Sequence, residues 1–171
     1  MLTRPILLLG AALLLTTTVY LSAQAPPLKP PPAPTIYLVI EAATCEPNAI
    51  KIFGASNLPP RAVILLIISD FDGDAWKDYT DPAYLSLAEG GLFQETLHPK
   101  RGLKFHGNLL AQSYFSPVYV PPKTSQPESV LEVVGKKGEN LGGLNNPQVG
   151  QLSGPNYYLT AIARVPNCGE R

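Results

Sequence analysis

Apolar residues are distributed along this chain in two ways. From Ile6 to Leu15 they run almost unbroken, behind Arg4 and ahead of the small residues Ser22-Ala23-Gln24-Ala25. Beyond residue 34 they come in short runs of strand length, parted by turn residues. Residues 35–41 are rich in β-branched and aromatic side chains, which suit a pleated surface. In residues 49–53 Lys51 faces away from Ile50 and Ile52, the period-two alternation of a half-covered strand. The segment from Gly54 to Pro60 is dense in turn residues, and residues 62–68 then form a continuous apolar run. That run predicts a central strand covered on both faces. Further strands are predicted at residues 92–97, 103–111, 113–120 and 157–165.

One segment departs from the strand pattern. Ser125 stands three residues before Glu128, with Pro127 between them in the position of a first helical turn. Val130, Leu131, Val133 and Val134 follow, and Gly135 stands where a helix would stop. A short helix is therefore predicted at 126–134, with a Gly/Asn-rich loop over 138–154. Many short strands and one brief helix predict a mainly β chain, an antiparallel sandwich built from residues 35–171.

The first 25 residues have the three parts of a secretory signal: a basic start, an apolar centre and a small-residue end. Two readings stay open for them. Cleavage after Ala25 would leave Pro26 beside the scissile bond, and cleavage after Ala23 puts the bulky Leu21 three positions back. The alternative is an uncleaved membrane anchor. In both readings Arg4 stays on the cytoplasmic side and the rest is exported. The protein is then periplasmic, secreted or held at the outer side of the cytoplasmic membrane, touching it only through residues 1–25. Residues 26–34, PPLKPPPAP, favour an extended polyproline II rod and read as a spacer. Their other reading is a ligand for a proline-recognising domain.

Export changes how the cysteines are read. Cys45 and Cys168 are the only two, and they bracket almost the whole domain. In an oxidising compartment such a pair is most simply a disulfide, and the close spacing of a redox or metal motif is absent. Formal charge is balanced at 13 basic and 13 acidic residues, so there is no basic surplus for a phosphate backbone and nucleic acid is not an expected partner.

The phrase Gly54-Ala-Ser-Asn57-Leu58-Pro59 leads into an apolar strand. Later, Gln126-Pro127-Glu128-Ser-Val130 runs on to Gly135-Lys-Lys-Gly138-Glu-Asn-Leu141-Gly-Gly143. Together these resemble small immunoglobulin-like sandwiches of exported bacterial proteins, over about half of the chain. Pro60-Arg61, where a glycine would be usual, and the acidic stretch after Ser69 depart from that pattern. The resemblance implies an exported immunoglobulin-like fold and no catalytic residue.

Asp70, Asp72, Asp74, Asp78 and Asp81 fall at positions 1, 3, 5, 9 and 12 of a twelve-residue stretch, and Trp76 at position 7 could offer its carbonyl. This is the ligand spacing of a calcium loop. Ala75 occupies the position that needs glycine, and Asp72-Gly73 supports a plain hairpin turn instead. Calcium is thus the one cofactor the spacing suggests. His98 and His106 lie in no ligand or nucleophile motif, and no G-x-S-x-G elbow or phosphate loop is present. Tyr37, Tyr79, Tyr84, Tyr114, Tyr119, Tyr157 and Tyr158 with Trp76 could form a binding face, the stretch 70–84 being the first place to expect contact. The expected function is a disulfide-stabilised binding or envelope-associated module with a protein or envelope partner, not an enzyme. The alternatives are a periplasmic or secreted hydrolase and a membrane-tethered accessory of a secreted assembly.

Overall fold

The computed structural model describes residues 35–72, 75–105, 109–118, 126–142, 146–152, 154–166 and 168. The export segment, the proline-rich tract, Asp74, His106, Tyr119 and Ser125 lie outside them. In chain order the elements are β1 (Leu38–Glu46), β2 (Ala49–Ser56), β3 (Val63–Asp72), β4 (Ala75–Asp78) and β5 (Ala83–Ser86). They continue with β6 (Leu92–Leu97), β7 (Leu110–Phe115), α1 (Glu128–Val134), β8 (Val149–Gln151) and β9 (Tyr157–Arg164). The strands form two antiparallel sheets, one in the order β1-β2-β6 and the other β4-β3-β7-β9-β8, with β5 also pairing to β3.

Alternation decides what each sheet buries. Ile50 and Ile52 of β2 point inward, as do Ile64, Leu66 and Ile68 of β3, all fully buried in one shared apolar core. Each such side chain contributes about 1.5–3 kcal/mol on leaving water. Val130 and Val134 of α1, four residues apart on one helix face, complete that core. The Cys45–Cys168 disulfide joins β1 to the segment after β9, with Cα atoms 5.4 Å apart and a sequence separation of 123. A bridge of this kind points to an oxidising, non-cytoplasmic environment. Among the described residues no helix is long and apolar enough to cross a membrane.

The departures from expectation have local causes. The first strand begins later and runs further than residues 35–41. Ahead of it the backbone is held by side chains, Asn57 bonding Thr35 and Tyr37 and Asn146 bonding Ile36. It then continues through small residues across a register shift at Ile40/Ala42. Of the strands expected at 103–111 and 113–120, the described residues form β7 across the gap between them, because Gln112 sits inside the ladder with its amide hydrogen-bonded; residues 106–108 and 119–120 lie outside the described residues. The predicted helix is shortened to α1, with Pro127 at its N-cap and no side-chain cap. Gln126, expected inside it, instead clamps β3: its side chain bonds Val63 N–H at 2.9 Å, Val63 C=O at 2.8 Å and Ser116 C=O at 3.2 Å. Gly135 ends the helix at φ 85°, where its N–H reaches Leu131 C=O at 2.8 Å. β8 lies within the stretch expected to be loop.

Candidate binding groove

The outer face of the larger sheet gathers exposed aromatic and apolar side chains around one trough. β3 carries Val63, Leu65 and Ile67 on that face, opposite its core-facing isoleucines. Register lines up neighbours beside them. Leu65 stands between Tyr84 of β5 and Tyr114 of β7, and Tyr114 pairs onward with Thr160 of β9. Ile67 stands beside Gln112. Together they floor a groove of about 520 Å³, walled by Trp76, Tyr84, Tyr114, Tyr158 and Leu152 with Asp78 and Ser116 among its lining. That volume falls in the range of small-ligand sites. Trp76 is 51% and Tyr84 44% exposed, so large rings face solvent rather than core.

Tyr158 owes its position to a missing side chain. It pairs directly with Gly150 of β8. A Cβ on Gly150 would lie 2.6 Å from the Tyr158 ring at Cε1 and closer still to Cζ and Oη. The ring therefore lies across β8 and forms one wall.

Three polar side chains at the floor bond to one another. Gln112, 3% exposed, donates from its amide nitrogen to Ser69 Oγ, and its amide oxygen accepts from the Tyr114 hydroxyl. Burial first, then the neighbouring Tyr158 and Asp78, push the Tyr114 phenol above the usual tyrosine value, while Thr160 pulls the other way. Tyr114 is thus held protonated, as its donor role requires. The hydroxyls of Tyr84 and Tyr158 hold no hydrogen bond among the described residues. The only ion pair among these residues is Lys51–Glu46, on the other sheet, so the exposed Asp78 has no basic partner there.

The acidic stretch forms a hairpin rather than an open loop. Ser69 pairs with Asp78, Asp70 with Lys77 and Asp72 with Ala75. Cross-strand partners share a face, so Asp78 lies on the face of Ser69 and Asp70 on the opposite one. Asp81 follows the bridge at Thr80, and Asp74 lies outside the described residues. No three acidic, histidine or cysteine side chains come together among the described residues.

Of the aromatics singled out in the sequence, Trp76, Tyr84, Tyr114 and Tyr158 meet in the groove. Tyr79 is buried in the core, Tyr157 packs against it, and Tyr37 is exposed at the approach to β1. His98 is exposed beside the Asn48 carbonyl at 3.0 Å, away from the groove. Sequence reasoning missed Leu65, Gln112, Ser116 and Leu152. For Gln112 the signal was present: a polar residue amid apolar and small neighbours, in what proved to be a strand. No family model matches this chain, and no curated protein or solved structure is detectably similar to it.

Proposed function

We propose that this protein is an exported, immunoglobulin-like binding module whose ligand lies in the groove on the outer face of β3-β7-β9. The observation that carries the reading is the groove itself. Four aromatic rings surround a largely apolar floor in which Gln112, Ser69 and Tyr114 are hydrogen-bonded to one another, an arrangement suited to an apolar ligand. The strand orders β1-β2-β6 and β4-β3-β7-β9 support the fold assignment, since an immunoglobulin sandwich pairs its first, second and fifth strands against a third-sixth-seventh sheet with added edge strands. The disulfide departs from that plan by joining the first strand to the segment after the last one. The hydrolase reading is less favoured, because the groove brings Ser116 and Asp78 into one lining without His98.

Trp76 is the only tryptophan of the chain, so its emission reports the groove directly. An apolar environment-sensitive dye should bind the full chain saturably at one site and quench or shift that emission. Tyr158→Ala should weaken it at least tenfold while the far-ultraviolet dichroism is unchanged. A dye that does not bind, or binds the variant equally, refutes the reading.

A further inference from the structure

We infer that the groove's ligand is a proline-rich segment in the polyproline II conformation, carrying a basic residue opposite Asp78. This rests on the groove being a binding site and names what fills it. The first argument is spacing. Tyr84, Leu65 and Tyr114 stand in one row on β5, β3 and β7, so the backbone positions that carry the two phenols are two strands apart, about 9.6 Å at ~4.8 Å per strand. A polyproline II helix repeats every three residues at ~3.1 Å each, so prolines on one edge recur at about 9.3 Å. The two periods match, and rings carried at that interval take prolines between them.

The second argument is hydrogen-bond arithmetic. A proline-rich segment has carbonyl acceptors and few donors. The groove answers with the phenol hydroxyls of Tyr84 and Tyr158 as donors, while the acceptor of Gln112 is already taken by Tyr114. The third argument is charge. Asp78 lies exposed in the lining with no basic partner among the described residues, so a lysine or arginine of the ligand would complete it. Aromatic grooves of this kind favour polyproline II because the ligand is already ordered before binding. The chain's own residues 26–34, PPLKPPPAP, contain a sequence of this chemistry, Lys29 included. They supply the probe.

The experiment titrates a synthetic PPLKPPPAP peptide into the full chain with its six prolines of 26–34 replaced by serine, so that the peptide is the only such segment present. Trp76 emission is the readout. Saturable binding is expected, and Asp78→Asn should weaken it about fivefold. Exchanging the peptide lysine for glutamine should weaken it by the same factor, and the two changes together by no more than either alone. Asp78, Trp76 and Tyr84 are exposed, so their variants leave the fold intact. No saturable response up to millimolar peptide, or additive effects in the cycle, overturns the proposal. If the apolar dye still binds and loses affinity with Tyr158→Ala, the groove reading stands and the proline assignment alone falls. If a soluble polysaccharide binds in place of the peptide, the proline assignment is likewise overturned. If dye and peptide both fail, both readings fall.

Discussion

Replacing Gly150 by alanine tests how the groove wall is built, and Gly54→Ala serves as its internal standard. Both glycines sit in strands beneath an aromatic ring, and both Cβ atoms would intrude on it. At Gly54 the added carbon lies 2.7 Å from Phe93 Cε2 and closer still to Phe93 Cζ and the Val39 carbonyl oxygen. That oxygen belongs to the β1–β2 ladder and cannot move without breaking register. Phe93 is buried in the core and has nowhere to swing. Overpacking of this kind costs about 1–3 kcal/mol, against which alanine recovers about 0.5–1 kcal/mol of chain entropy. A net loss of about 1–2 kcal/mol is expected. At Gly150 every close atom belongs to the far end of the Tyr158 side chain, which borders solvent. An off-rotamer ring costs about 0.5–1.5 kcal/mol, and the entropy gain cancels most of it. Stability should therefore stay within about 1 kcal/mol of the parent while the wall is displaced. Urea melts of both variants give the first quantity and Trp76 titration with dye or peptide gives the second. The expected pattern is a destabilised Gly54→Ala that binds normally and a stable Gly150→Ala that binds at least tenfold more weakly. The reverse pattern, or equal destabilisation with unchanged binding, refutes the reasoning.

Four further outcomes concern the bridge, the groove floor, the β3 clamp and the acidic hairpin. Removing the bridge with Cys45→Ser and Cys168→Ala opens a closure over 123 residues, which loop entropy values at up to about 5 kcal/mol; the urea midpoint should fall by roughly 2 M, with a steeper slope as the unfolded chain expands, and a loss under about 1 kcal/mol would contradict it. Tyr114 is raised above 10.0 in the folded state, so its contribution is complete below that pH and is lost as pH rises through the higher folded value; Tyr114→Phe should flatten the alkaline decline in urea midpoint above pH 10.0. Gln126→Leu strands the N–H and C=O of Val63 and should cost about 2–4 kcal/mol by thermal melting, with a shift under about 1 kcal/mol refuting the clamp. Because Asp70 and Asp78 lie on opposite faces of the β3–β4 hairpin, millimolar calcium should leave the melting temperature within about 1 °C; a larger rise, abolished by Asp72→Ala with Asp74→Ala, would show ion binding.

What could be read from the sequence was what local chemistry decides. The disulfide, the mainly β antiparallel build, the bounds of β6 and the glycine stop of α1 follow from compartment, alternation and turn residues near each feature. The edge strands β4, β5 and β8 were hidden. They span three or four residues each and exist because β3 and β9 offer them partners, which is a tertiary fact. The acidic spacing drew attention to a stretch whose geometry is likewise set by pairing. The partnering of β3 with β4 decides which face each aspartate takes, and it separates Asp70 from Asp78.

The apolar run of β3 contains the reason the groove could not be located in advance. Its inner row, Ile64, Leu66 and Ile68, is covered by the opposing sheet. Its outer row, Val63, Leu65 and Ile67, has the same apolar character, and a run of this kind reads as a strand covered twice. Nothing in the run distinguishes cover by protein from cover by a ligand. Ile67 is buried and Val63 and Leu65 half-buried, with Tyr84, Tyr114 and Tyr158 rising around them from neighbouring strands and leaving a trough between. A partly exposed apolar row rimmed by aromatic rings is the kind of surface that another molecule commonly covers. On the proposed reading the outer row of β3 marks the site, and the surrounding rings with Asp78 on the rim select what covers it.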